Sequence, residues 1–282
     1  MRLDILLARA ATRLADAGSP SARLDAEVLL CHVLGVDRAW LYTWGDREAD
    51  SFDQARFEAL IAARAAGHPV AYLTGEREFW GLPLLTGPST LIPRPDTETL
   101  VAAALSRMSG RAGRLLDLGT GTGAVALALA SECPDWHALG IDLNPDAVTL
   151  AKRNAERLGI ANVGFRVGDW FAALDETGFD VIVANPPYLS DDDPHLALGD
   201  VRFEPRSALV ARERGLADLH HLVDASRDRL ASEGWLLLEH GAEQGAAVRE
   251  ALQASGYRDV TSERDLAGHE RVSLGRWTGE RR

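Results

Sequence analysis

Over the first 67 residues, apolar positions recur three and four apart, the period of an amphipathic helix. LDILLARAATRLADAG stops at Gly18, and SPSARLDAEVLLCHVLG opens on Ser-Pro and stops on a glycine. SFDQARFEALIAARAAG repeats the pattern, with Ser51 as its expected N-cap. The pattern predicts a small helical bundle. Trp40 and Trp44, four apart, share one face of a short helix and are expected in its core. Residues 68–95, HPVAYLTGEREFWGLPLLTGPSTLIPRP, are rich in Gly, Pro and aromatics and predict strands and turns bridging two units. Beyond residue 96, apolar runs suited to buried strands alternate with helical patterns. Strands are predicted at 114–118, 137–142, 163–167, 179–184, 234–240, 257–263 and 270–277. The last two have no helical segment between them and are expected to pair as an antiparallel hairpin. The expected fold is therefore α/β, a mostly parallel seven-stranded sheet covered on both faces. It is preceded by a helical domain (1–67) and a strand/hairpin linker (68–95), with the α/β domain at 96–282.

Composition narrows the function classes. The 282 residues suffice for one large domain with an accessory unit. No apolar run reaches the length of a membrane span, so no membrane partner is expected. The N-terminus carries an acid at position 4 and reads as an amphipathic helix, not a signal peptide. Cys31 and Cys133 are far apart and lack metal-ligand spacing, which predicts free thiols in a reducing cytoplasm. His68, His195, His269 and the pair His220–His221 lack metal spacing too, and no metal is expected. The 30 basic residues face 42 acidic ones. That balance argues against a dedicated nucleic-acid binder, although a local basic groove is compatible with it.

The chemistry begins at LLDLGTGTGAVALALA (115–130), which reads strand, glycine loop, helix. Ligands bind there in open α/β sheets. Gly119, Gly121 and Ala124 also fit a dinucleotide fingerprint, with an acid following at Asp142. Asp117 helps break the tie. A carboxylate at the mouth of the loop repels a pyrophosphate and favours a cation, such as the ammonium and sulfonium of S-adenosylmethionine. Asp142 ends the next strand, where it can accept both ribose hydroxyls, and Asn144 is the better N-cap for the helix after it. Asp169 can accept from an adenine amino group and Trp170 can cover the ring.

The ANPPYLS stretch (184–190) follows the fourth strand. Pro186 restricts Asn185 to extended backbone, and neither Pro186 nor Pro187 has an N–H. The corner is rich in acceptors. The Asn185 side-chain oxygen and the Pro186 carbonyl can take both hydrogens of a planar NH2 group, and Tyr188 can pack against its plane. An amide nitrogen is a poor nucleophile because its lone pair is delocalised, by roughly the ~18–20 kcal/mol barrier to peptide rotation. Two acceptors drawing the N–H bonds out of plane weaken that delocalisation and aim the lone pair at a sulfonium methyl. Asp191, Asp192 and Asp193 read as a solvated acidic loop.

With these residues in hand, DLGTGTG followed by NPPY resembles the amino-methyltransferases that act on exocyclic NH2 groups. GEREFWGLPL, TLIPRPDTE, GIDLNPDAV, FDVIVANPPY and VRFEPRSAL run in the order of the bacterial peptide-chain-release-factor glutamine methyltransferases. The resemblance covers nearly the whole chain, and IPRPDTE is its most specific piece. It implies a Rossmann-like class I S-adenosylmethionine-dependent fold in a cytoplasmic enzyme. It implies cofactor contacts from Gly119, Thr120, Gly121, Thr122 and Gly123, with Asp142 as ribose acid and Trp170 as adenine contact. Asn185, Pro186, Pro187 and Tyr188 become the site for the target amide. The implied substrate is the glutamine of the Gly-Gly-Gln motif in class I release factors, with S-adenosyl-L-homocysteine as second product. The helical domain is implied to dock that substrate. IPRPDTE is implied to shape the site wall, and VRFEPRSAL to lie by the substrate channel. A related glutamine methyltransferase acting on a ribosomal protein shares much of the pattern. Nucleic-acid amino-methyltransferases share less of it.

Overall fold

The computed structural model describes residues 1–108, 112–172 and 174–279. The chain forms two compact units: Met1–Glu76 together with His195–Phe203, and the remainder of the chain.

The first unit is helical. It contains α1 (Leu3–Asp16), α2 (Ala22–Leu34), α3 (Arg38–Thr43), α4 (Ser51–Ala65) and α5 (Val70–Thr74). Its core is the apolar stripe of each helix: Leu3, Leu7 and Leu14 pack with Leu29, Leu30, Phe57 and Ile61. Four details differ from the sequence expectation. Asp50, not Ser51, caps α4, accepting from the backbone N–H groups of Phe52 and Asp53. The Ser19 and Ser21 hydroxyls do not start a helix at Ser-Pro. Both donate to the Asp25 carboxylate at 2.8 Å, and α2 begins at Ala22. Trp44 is 41% exposed rather than in the core, with the Arg47 guanidinium 4.3 Å from its ring centroid. Residues 70–74 are helical rather than extended, and the helix ends at Gly75, whose φ of 77° suits a left-handed C-cap. The segment 195–203 joins this unit through Arg64, which pairs with Asp25 at 2.8 Å and Asp200 at 2.7 Å.

The second unit opens with the hairpin of β1 (Glu76–Phe79) and β2 (Leu82–Leu85) and a 3-10 turn at Pro95–Thr97. There follow α6 (Glu98–Leu105), β3 (Arg114–Leu118), α7 (Ala124–Glu132), β4 (His137–Asp142), α8 (Pro145–Leu158), β5 (Val163–Val167) and β6 (Phe179–Ala184). A single turn α9 (Arg212–Gly215), left-handed at Glu213 and Arg214 with φ of 55° and 56°, and α10 (Ala217–Ala225) lead to β7 (Leu230–Glu239), α11 (Gly245–Ala254), β8 (Arg258–Arg264) and β9 (Glu270–Trp277). The sheet runs β5-β4-β3-β6-β7-β9-β8. β3 to β7 are parallel, and β9 is antiparallel to β7 and β8, as expected of the terminal hairpin. β7 starts at Leu230, earlier than its apolar run suggests.

Strand residues alternate between two cores. Leu115, Val181, Val183 and Leu237 face the α6–α7–α8 side, while Leu116, Leu118, Ile182 and Leu238 face the α10–α11 side. The continuous apolar runs are thus the signature of strands buried on both faces. β4 lies on one side of β3 and β6 on the other, so the chain reverses its winding at β3 and opens a crevice outside the strand ends. Both cysteines are free thiols. No helix among the described residues is long and apolar enough to cross a membrane.

Candidate active site

A cavity of about 480 Å³ opens at that crevice. Its lining comes from four successive strand ends, together with the 89–97 segment and Ser207, Ala208 and Val210.

From β3 come Asp117 and the glycine loop. Asp117 is 2% exposed, and its Oδ2 accepts from Thr120 Oγ1 at 2.6 Å and from the Ala126 backbone N–H at 3.2 Å. Burial pushes its carboxyl up to about 6, against those two donors and with a small further push from Asp142. Gly119 and Gly121 have φ values of 74° and 56°, a region that favours glycine. The Trp170 indole lies over Gly119, 3.5 Å from where a Cβ would sit, which is an ordinary contact distance, so the positive φ and not the indole is what favours glycine there. Gly123 serves a different end. Its missing Cβ would lie 3.0 Å from both Leu127 and Phe165, so it allows α7 to pack close to the sheet rather than facing the cavity. Asn154 of α8 ties this loop down: its Nδ2 donates to the carbonyls of Thr122 at 2.9 Å and Leu85 at 3.1 Å.

From β4 comes Asp142. Its Oδ2 accepts from the Gly121 backbone N–H at 2.8 Å and its Oδ1 from Asn144 N–H at 2.9 Å. Burial raises its pKa, and the two backbone donors oppose the rise. Asn144 is the N-cap of α8, accepting from Asp146 N–H. After β5 come Gly168, Asp169 and Trp170, all on the cavity wall. Trp170 holds a left-handed φ of 46°, an uncommon conformation for a bulky residue, and it turns the indole over Gly119. Asp218 of α10 adds a second carboxylate near Asp169.

From β6 comes the NPPY corner. Asn185 and Pro187 line the cavity, whereas Pro186 and Tyr188 do not. The Asn185 Nδ2 donates to Thr97 Oγ1 at 3.3 Å. Tyr188 packs on the α10–α11 core, and burial pushes its phenol upward. Its carbonyl accepts from Gln244 Nε2 at 3.0 Å, and Gly215 offers no Cβ to collide with that same carbonyl. Pro93, Arg94 and Thr97 of the IPRPDTE stretch form one wall. Arg94 is held by the fully buried Glu204 carboxylate at 2.5 Å.

The sequence reading missed Thr97, Thr90, Asp218 and Glu239. Glu239 ends β7, is 1% exposed, and lies beside Asn185 because Ala184 pairs with Leu238. An acid at the end of an apolar run is the one signal it leaves in the sequence. Among the described residues, no group of three or more His, Cys, Asp or Glu is placed to hold a metal ion.

The donor set suits S-adenosylmethionine. A buried carboxylate at the loop mouth and a half-buried one at the end of β4 match a cation and a diol. Trp170 offers an aromatic face, and the cavity has room for a ligand of that class.

Comparison with known proteins agrees with this architecture. The family described as PrmC N-terminal domain matches residues 6–75, and a methyltransferase domain family matches 109–235. A Vibrio cholerae protein named release factor glutamine methyltransferase is 54% identical, covering 99% of this chain and 98% of its own. The Escherichia coli protein of the same name is 52% identical, covering 92% of this chain and 94% of its own. A solved methyltransferase from Pyrococcus furiosus is similar in fold, with a TM-score of 0.55 and 21% identity over 79% of this chain and 98% of that one.

Proposed function

The chain belongs to the release factor glutamine methyltransferase family, and from that premise we propose how its own residues carry out the transfer. The substrate is the glutamine of the Gly-Gly-Gln motif in class I peptide chain release factors. S-adenosylmethionine supplies an electrophilic methyl: its S–CH3 bond breaks as the bond to the amide nitrogen forms, S-adenosylhomocysteine leaves, and the nitrogen's proton passes to water.

Asp142 accepts from the ribose hydroxyls, Asp169 from the adenine amino group, and Trp170 covers the ring. Asp117 and the loop residues Gly119–Thr122 surround the methionine end. The Asn185 oxygen accepts one N–H bond of the target amide at the cavity wall, and the Pro186 carbonyl, beyond that wall, accepts the other, with Pro187 and Tyr188 stiffening the corner. The helical domain, residues 1–67, docks the release factor. The observation that carries the reading is the placement of Asn185 on the cavity wall with its Nδ2 already engaged by Thr97. That leaves the acceptor end of its amide for a ligand. No general base is needed before the methyl moves, because alignment and fixed dipoles supply the acceleration.

Transfer of labelled methyl to a purified release factor tests the proposal, with the ribosomal-protein substrate of the related enzymes and duplex DNA as alternative acceptors. Label on the release factor alone is expected. Label on either alternative but not on the release factor would reject the assignment.

A pH effect follows from Asp117. Its carboxyl is pushed up to about 6 in the folded protein, so it is charged above that pH and neutral below it. Affinity for the cationic cofactor should hold from pH 8 to 7 and fall as pH drops through about 6. Calorimetric titration across that range checks this, and Asp117→Asn should flatten the dependence.

A further inference from the structure

The orientation of the Asn185 amide is a separate question from its position. A primary amide has nearly the same shape either way round, and only its hydrogen-bond partners decide which end faces a ligand. Glu239 lies behind Asn185 in the sheet. The Thr97 and Asn185 side chains lie beside its carboxyl and act as donors that pull its pKa down. Asn185 Nδ2 also donates to Thr97 Oγ1. The Glu239 Oε2 is buried and has no hydrogen-bond partner. A buried carboxyl with an unused acceptor costs stability and calls for an explanation.

The polarity of the network supplies one. An ionised carboxylate only accepts. The Thr97 hydroxyl must then spend its hydrogen on Glu239, which presents its oxygen lone pair to Asn185. Both partners of the Asn185 amide therefore demand its NH2 end. We infer that Glu239 is a positioning residue that, directly and through Thr97, holds Asn185 with Nδ2 inward and Oδ1 toward the cavity. The inference rests on the proposed function for what Oδ1 then does, but the orientation is a property of the free protein.

Protonation removes the constraint, since a carboxylic acid can donate as well as accept. Burial pushes the Glu239 carboxyl up to about 7. Arg271 of β9 pulls it down, and Asp96 of the 3-10 turn raises it. Tyr188, after β6, also faces it and stays neutral, its own phenol pushed up by burial and by Glu239. The switch from accepting to donating thus falls near neutral pH.

Nitrogen-15 spectra of the free protein test the orientation without any acceptor substrate. The Asn185 side-chain signals are assigned by their loss in Asn185→Ala. They should follow one titration centred near 7, absent in the isosteric Glu239→Gln. A titration that persists in Glu239→Gln, or signals that do not respond to pH in the parent protein, overturns the inference. Turnover gives the second reading. Glu239→Leu should lower kcat about 100-fold with cofactor affinity unchanged, and Glu239→Gln, which keeps one acceptor, by no more than about tenfold. In an Asn185→Ala background neither change should cost more, because Glu239 acts through Asn185. Losses that multiply in that background, or that track weakened cofactor binding, would assign Glu239 a general structural role instead. If Glu239→Leu does not fold, Glu239→Gln carries both readings. If the titration is present but no methyl reaches a release factor, the proposed function fails and the orientation stands.

Discussion

Replacing Asn185 with alanine is expected to lower turnover about 10²–10³-fold and leave the affinity for S-adenosylmethionine within a few-fold of the parent protein. The reasoning is geometric. Asn185 is on the cavity wall at the end of β6, and its backbone is fixed as an extended residue before Pro186. Truncation removes one of two acceptors for the target amide and leaves the sheet, the glycine loop and Asp142 untouched. The lost dipole matters most where the nitrogen lone pair must leave conjugation, and the Pro186 carbonyl alone is then left to draw the N–H bonds out of plane. A binding titration alongside single-turnover kinetics separates the two quantities. A cofactor affinity that fell as far as turnover would reject the amide clamp, because it would make Asn185 a cofactor contact first.

Asp142→Ala should do the reverse. Cofactor affinity is expected to fall roughly 100- to 1000-fold, with turnover at saturating cofactor changed far less. Hydrogen bonds to a charged group contribute about 1.5–3 kcal/mol each, and Asp142 would offer two to the ribose. It also accepts from Gly121 N–H and Asn144 N–H, so its loss orphans two backbone donors and loosens the loop. These losses are not additive, but both weaken binding. Equilibrium binding measures the effect. An unchanged affinity would remove Asp142 from the ribose role.

Much of this was legible in the chain. The parallel strands are apolar runs buried on both faces and bounded by Gly, Pro or Asp, so their ends could be read closely. β6 at Phe179–Ala184 is an example. The order of glycine loop, Asp142, Asp169–Trp170 and Asn185 could also be read, because each follows a strand, and parallel strands end on the same side.

Long-range pairing was not legible. Glu239 looks like the first solvated residue after an apolar strand, and only the β6–β7 register brings it to Asn185. Arg94 finds Glu204 across 110 positions. Local competition hid other details. Asp50 and Ser51 are both good caps, and the one with extended backbone, Asp50, takes the role. Trp44 obeys the helical period of a core residue, yet Arg47 stacks over it at the surface. The left-handed backbone of Trp170 has no sequence signature, because it is a conformation that bulky residues rarely adopt.

The NPPY corner is proposed to hold one glutamine amide nitrogen for methylation. Peptide mass spectrometry of a release factor after incubation with the enzyme and S-adenosylmethionine tests it most directly. A single added methyl is expected on the side-chain nitrogen of the Gly-Gly-Gln glutamine, absent when that residue is alanine and lost with Asn185→Ala. A methyl on any other residue, or one that persists in the alanine substrate, would contradict it.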